Sequence, residues 1–413
     1  MNFDEEVTNW TKQLELGGRD VLAKAHSWTI VEQVQAMGLY PYFQALDENQ
    51  GPVARYQGKE VLMLGSNNYL GLTTHPKVRE ASMEAIRKYG TGMTGSRFLN
   101  GTIKLHEELE AKLASFVGKP AALVFTTGYQ ANLGMLTALI NKKSVAIVDR
   151  FAHASIHDGC RLMEGENLKF QHNDTADLRR VLSDIPQETG PLIFVDGVYS
   201  MEGDVAPLPE IVAIAKEFKV RLAIDDAHGL GVMGPGGRGT AHHFGVQDDV
   251  DLIVGTFSKS LASTGGFVAG DARVINFIKH FGRPMIFSAS LTPSCAASAF
   301  AALDILIQEP ERAVQVRKNS AMMKKALSEI GYKTGAADAA IVPVEIGDGM
   351  KTFMIWKELM DQGVYTNPVL YPAVAKGHEM LRTSYLATHT SSHLEKALEI
   401  FQNVAKQYDI GKA

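Results

Sequence analysis

The chain begins with mixed polar and apolar positions, and in this stretch only the run around Ile30, Val31, Val34 and Met37 has helical spacing. Residues 1–58 therefore predict an arm of helix and loop, not a domain. From Lys59 the pattern changes to alternation. Leu105, Leu109, Leu113 and Phe116 recur at helical spacing, 121–125 is a short apolar strand, and Leu133, Leu136 and Ile140 start another amphipathic helix. Further β-rich runs occupy 145–148, 192–195, 222–224 and 252–254, with a helix through Ile211, Ile214, Ala215 and Phe218 that starts near Pro207 and Pro209. Buried strands alternating with helices predict an α/β fold, a mainly parallel sheet with helices on both faces. After Pro293 long helices with fewer strands predict a smaller C-terminal α+β domain, 293–413, beside a large domain, 59–292.

Sites in such sheets lie at the carboxyl ends of the strands. Asp225-Asp226-Ala227-His228 follows one predicted strand, and Thr256-Phe257-Ser258-Lys259-Ser260 follows the next. A Ser-Lys pair alone is ordinary surface sequence. At a strand end, flanked by hydroxyls and small residues, Lys259 is placed to form a Schiff base with an aldehyde cofactor. Pyridoxal phosphate acts as an electron sink when its ring nitrogen stays protonated, which needs a carboxylate beside it, and Asp225 supplies one from the preceding strand. Thr127-Gly128-Tyr129 stands between a strand and a helix, where backbone amides face an anion, and Thr256 and Ser258 add hydroxyl donors. His153 follows another strand end, where a flat imidazole can stack on a ring. The cluster from Gly90 to Arg97 has glycines at nucleotide-loop spacing, but Ser96-Arg97 stands where Lys-Ser/Thr is required, and no apolar strand leads into it.

Composition narrows the setting. A chain of 413 residues, 45% hydrophobic and 21% charged, has the ordinary globular balance, and a net charge of −5 with both signs interspersed argues against nucleic acid as a partner. Cys160 and Cys295 are far apart, without metal-site or disulfide spacing, which fits a reduced, cytoplasmic setting. Asp4, Glu5 and Glu6 open the chain where a leader would be basic and then apolar, and no run is long enough to span a membrane. Contact with a membrane surface stays open if the substrate is a lipid.

Taken together, Ser66-Asn67-Asn68-Tyr69-Leu70-Gly71-Leu72, the Gly90 to Arg97 cluster, His153-Ala154-Ser155, the run from Asp196 to Asp204, Asp225 to His228 and Thr256 to Ser260 resemble the α-oxoamine synthases, in the same order, from about Ile30 to about Tyr408. The resemblance implies the fold-type I aminotransferase architecture, pyridoxal 5'-phosphate as cofactor, no metal, and a homodimer. Within the family, the runs 95–102, 255–263 and 287–290 are most similar to the bacterial palmitoyltransferase branch. That branch implies decarboxylative condensation of L-serine with palmitoyl-CoA to 3-ketodihydrosphingosine, the first step of sphingolipid synthesis. Glycine, alanine or cysteate as the amino acid, another acyl length, and an acyl carrier protein as donor stay open, as does, more remotely, a non-catalytic partner subunit. One departure is Leu370, where some members of the branch carry an arginine twelve residues before Arg382.

The same resemblance implies roles. Lys259 holds the cofactor and then serves as base at Cα, Asp225 keeps the ring nitrogen protonated, and His228, helped by Ser200, bonds the ring hydroxyl. Gly128, Tyr129, Thr256 and Ser258 grip the phosphate, with Ser288 and Ala289 contributed by the other subunit. His153 stacks on the ring and holds the substrate carboxylate, which Arg382 binds, and Asn67 and Tyr69 are expected as further substrate contacts.

Overall fold

The computed structural model describes residues 18–49, 51–335 and 339–411. The acidic residues at positions 4–6, and with them the first part of the expected arm, lie outside the described residues.

Seven strands form the central sheet: β1 Ala121–Phe125, β2 Ser144–Asp149, β3 Glu166–Phe170, β4 Gly190–Asp196, β5 Arg221–Asp225, β6 Leu252–Thr256 and β7 Gly266–Gly270. Their order is β1-β7-β6-β5-β4-β2-β3. The pairs β2–β3, β2–β4, β4–β5 and β5–β6 are parallel, whereas β7 runs antiparallel to both β6 and β1. Side chains alternate between faces along each strand. Ile193, Val195, Leu222, Ile224 and Ile253 join one apolar cluster, which includes Leu109 and Leu113 of the helix Lys104–Phe116 and Ile211 and Ile214 of the helix Leu208–Phe218. Leu192, Phe194, Ala223, Leu252 and Val254 join a second, with Ala131 and Met135 of the helix Gly128–Leu139 and Ile156 of the helix Ala154–Leu162. Burial on both faces is why these strands read as unbroken apolar runs.

Two strands have no counterpart in the predicted pattern. β3 is the edge strand and carries Glu166, Asn167 and Lys169, so three of its five residues are polar. β7 is a buried Gly-Phe-Val-Ala-Gly run whose reversed direction breaks the expected strand–helix alternation.

A four-stranded antiparallel sheet, made of Lys333–Thr334, Ile341–Glu345, Met380–Ser384 and Asn367–Val369, forms the smaller C-terminal unit with the helices Gly349–Asp361 and Ser391–Gln407. Packing moves both expected domain boundaries. The strand Lys59–Met63 pairs with Val364–Tyr365, and Val61, Leu62 and Leu64 pack with Val342, Leu381 and Phe401, so the segment after residue 58 belongs to the smaller unit. Conversely, the helix Pro293–Gln308 lies against the helix Pro76–Tyr89 and sends Leu303 and Leu306 into the large core. Apolar periodicity marks that a helix has a buried face, not which of two cores receives it.

Candidate active site

The carboxyl ends of β1, β4, β5 and β6 open on one cavity of about 260 Å³, lined among others by Gly128, His153, Asp225, His228, Ser258 and Lys259. Sheet order explains the convergence. Gly266, at the start of β7, pairs with Phe125 on one side and Thr256 on the other, which brings the turn after β1 against the end of β6. This approach requires glycine: a Cβ on Gly266 would lie 2.5 Å from Cα of Gly128, and one on Gly128 would lie 2.9 Å from Cβ of Thr256.

Lys259 sits in the short connection from β6 to β7. The loop is closed by Phe257 N–H donating to the Gly265 carbonyl at 2.9 Å and Ser263 N–H donating to the Phe257 carbonyl, also at 2.9 Å. Its ammonium group has no salt-bridge partner among the described residues. Burial is the largest effect on it, and with the Arg382 charge it outweighs the attraction of Asp225 and Asp196, so the amine titrates at about 8. A lysine that gives up its proton near neutral pH is suited to imine chemistry and to moving a proton.

Asp225 ends β5 directly opposite Asp196 at the end of β4. Its Oδ2 accepts from Asn132 Nδ2 at 2.7 Å and its Oδ1 from the Ala227 N–H at 3.0 Å. Burial and the neighbouring Asp225 charge push the Asp196 carboxyl well above the usual range, while its Oδ2 accepts from the His153 N–H at 3.0 Å. His228 is also buried, and this together with the Lys259 charge holds its imidazole well below its ordinary value, so it is neutral.

At the other end of the cavity the helix Gly128–Leu139 begins, with Thr127 Oγ1 accepting from the Gln130 N–H. The amides of Gly128 and Tyr129 stand at the head of that helix, where the aligned peptide dipoles favour an anion. The Tyr129 phenol donates to Asp158, so what Tyr129 offers an anion is its backbone. Thr256 Oγ1 lies 2.8 Å from Ser258 Oγ. Anion donors at one end, a carboxylate at the other and a lysine that titrates at about 8 among the lining residues fit pyridoxal phosphate.

Arg382 lies beyond this cavity, on the smaller unit. Nε donates to the Ser200 carbonyl at 2.6 Å, Nη1 to Ser384 Oγ at 3.1 Å and Nη2 to Asn67 Oδ1 at 3.0 Å. A guanidinium suits bidentate binding of a carboxylate, and Tyr69 also interacts with this one. Tyr69 corrects an expectation: it is fully buried, with its hydroxyl 2.6 Å from His228 Nδ1 and 3.1 Å from Asn67 Oδ1, so it backs His228 and has no surface left for substrate. Ser200 joins this network through its backbone carbonyl, which accepts from Arg382. Ser288 and Ala289 lie outside the cavity of their own chain, Ser288 facing Gln130. Sequence reasoning gave no role to Asn132, Ser155 or Asp196. An asparagine inside the apolar run Ala131 to Leu136 was the available signal for the first.

A larger cleft, about 480 Å³, lies between Tyr40, Tyr42, Trp356 and Met360. Its Lys357 and Asp361 pair with each other.

The model of the aminotransferase class I and II family matches residues 59–401. The chain is 49% identical to a serine palmitoyltransferase of Sphingobacterium spiritivorum, over 93% of this chain and 96% of that protein. It is 46% identical to one of Bacteroides ovatus, over 94% and 98%. An 8-amino-7-oxononanoate synthase of Thermoanaerobacter pseudethanolicus is 39% identical over 92% and 96%. Among solved structures, serine palmitoyltransferase of Sphingomonas wittichii superposes with a TM-score of 0.91 at 38% identity, covering 94% of this chain and 99% of that one. A structure of SPT with a PLP internal aldimine superposes at 0.92 and 37% identity, covering 95% and 100%.

Proposed function

Because the chain belongs to the aminotransferase class I and II family, and within it to the pyridoxal-phosphate-dependent α-oxoamine synthases, acyltransferases of fold type I, we propose that it condenses L-serine with palmitoyl-CoA. The products are 3-ketodihydrosphingosine, coenzyme A and carbon dioxide. One observation carries the choice of substrates: relatives named serine palmitoyltransferase reach 49% identity, against 39% for a relative named 8-amino-7-oxononanoate synthase.

Pyridoxal phosphate, when bound, supplies an electron sink that makes the Cα proton of an amino acid acidic. The Lys259 amine, neutral from about pH 8, takes that proton and returns one later. The Asp225 carboxylate holds a proton on the ring nitrogen, His228 meets the ring hydroxyl, and the Gly128 and Tyr129 amides with Thr256 and Ser258 hold the phosphate. The Arg382 guanidinium holds the substrate carboxylate until it leaves as carbon dioxide, with Asn67 fixing the guanidinium from behind. His153, exposed at the cavity mouth, covers the ring and donates to the same carboxylate.

The active unit is a homodimer in this reading. Ser288 and Ala289 are displaced from their own cavity, and the adjacent Phe287 is 74% exposed, as is Leu99 at 77%. Among the described residues no helix is long and apolar enough to cross a membrane. A cytoplasmic enzyme that meets the membrane surface to collect its acyl substrate completes the proposal.

The test is a matrix of amino acids against acyl-CoA chain lengths and acyl carrier protein donors, with product mass measured. Serine with palmitoyl-CoA should give the highest kcat/KM. A preference for glycine, alanine or cysteate would keep the family and change the substrate.

A further inference from the structure

We propose that Asn132 and Ser155 are positioning residues that keep the proton of the His153 imidazole on Nε2, so that the ring presents an N–H donor to an anionic group of the substrate. The inference rests on the reading above in taking the cavity as the amino-acid site.

The geometry fixes each hydrogen in turn. Nδ1 of His153 lies 3.2 Å from the Ser155 backbone nitrogen and 2.7 Å from Ser155 Oγ. A backbone N–H can only donate, so Nδ1 is the acceptor, and a neutral imidazole then carries its proton on Nε2. The Ser155 hydroxyl is oriented from behind by Asn132 Nδ2, which donates to Ser155 Oγ at 2.8 Å and leaves that O–H to donate to Nδ1. Asn132 in turn cannot reverse its amide. Its other N–H meets Asp225 Oδ2 at 2.7 Å, and a reversed group would set oxygen against carboxylate. Donation therefore runs one way, from Asn132 to Ser155 to His153, and separately from Asn132 to Asp225. Asn132 and Ser155 are each 1% exposed, so water does not compete for these hydrogens.

A plainer role is available: His153 precedes the helix Ala154–Leu162 and caps it by accepting from the Ser155 N–H. Capping alone needs neither the Ser155 hydroxyl nor Asn132. The two roles separate in an experiment on the full chain loaded with pyridoxal phosphate, without substrate, labelled with ¹⁵N at its 13 histidines, the His153 signals being assigned from His153→Gln. Wild type should show the pattern of an imidazole protonated on Nε2. Ser155→Ala and Asn132→Ala should both move those signals toward a mixture of tautomers, although Asn132 does not touch the ring. Ser155→Thr, which keeps the hydroxyl, should retain the wild-type pattern. In turnover, Ser155→Ala should raise KM for the amino acid about tenfold, the loss of one oriented hydrogen bond, with a smaller fall in kcat. Protonation of His153 on Nδ1 in wild type would overturn the proposal, as would spectra unchanged by either alanine variant. Should the variants fail to fold, the wild-type spectrum decides. None of these spectra involves serine, so a wrong substrate assignment would appear in the turnover assay and not here.

Discussion

Nδ1 of His228 is met at 2.6 Å by the hydroxyl of Tyr69, a residue 159 positions away in sequence and without exposed surface. This contact fixes the ring that the proposed function sets against the cofactor hydroxyl. Tyr69→Phe keeps the volume and removes the partner, leaving a buried nitrogen unsatisfied at a cost of about 1–3 kcal/mol. Denaturant melts should show that loss, and the visible absorption of the bound cofactor should shift as the ring hydroxyl loses a fixed neighbour. A variant with wild-type stability and spectrum would remove Tyr69 from the site.

Lys259→Ala should bind cofactor without a borohydride-reducible bond to the protein and should not turn over. In the cofactor-free wild type the amine is mostly protonated below about pH 8 and mostly free above it. Stopped-flow capture of added pyridoxal phosphate should therefore accelerate with rising pH and level off above about 8. Persistent reducible attachment in the variant, at another lysine, would contradict the assignment.

Asp225→Asn preserves shape but cannot hold a proton on the ring nitrogen. Activity should fall by at least about a hundredfold, equivalent to about 2.8 kcal/mol of transition-state stabilisation, with the far-ultraviolet circular dichroism unchanged. Near-normal kcat would refute the role.

A second carboxylate network supports the site from below. His172 Nδ1 lies 3.1 Å from Asp149 Oδ1, and Nε2 lies 2.9 Å from Asp204 Oδ2, joining the end of β2 to the loop that carries Ser200. Burial disfavours the charged imidazole, but the hydrogen bonds and charges of the two aspartates win, and the group is raised to about 10. A folded-state value above the unfolded one contributes stability that is complete below about pH 6.5 and is lost as pH rises through about 10. Melting temperature should fall over that interval in wild type, and this component of the fall should be absent in His172→Gln.

Legibility in the sequence followed physical lines. The doubly covered strands β2, β4, β5 and β6 were readable because burial on both faces leaves apolar runs, and their ends pointed to Asp225 and Lys259. Adjacent aspartates show the limit. Asp225 faces the cavity, whereas Asp226 accepts from Thr240 N and Oγ1 at 2.7 and 2.5 Å, enclosed by Gly197, Gly229 and Gly239. Burial raises Asp226 to about 6 against those hydrogen bonds. Spacing alone does not separate two like side chains; the resemblance singles out Asp225, and the structure shows where Asp226 turns instead. Asn132 was silent because its meaning comes from Asp225 and Ser155, 93 and 23 positions away. The resemblance named Tyr69 but not its direction, since a motif carries identity without contacts.

The cavity lining runs from Thr127 to Gly265, one unbroken stretch of chain, while Asn67 and Arg382 come from either side of it and meet across the smaller unit. In the proposed reading the cofactor and the amino-acid carboxylate are thus held by separate stretches of the chain. On the ribosome the residues lining the cavity are made before Arg382, but the helix Pro293–Gln308 that joins the large core and, in the proposed dimer, Ser288 and Ala289 follow them, so the cradle is finished late. Damage parts the two: local unfolding of the C-terminal sheet would leave a protein that is still coloured but blind to its substrate.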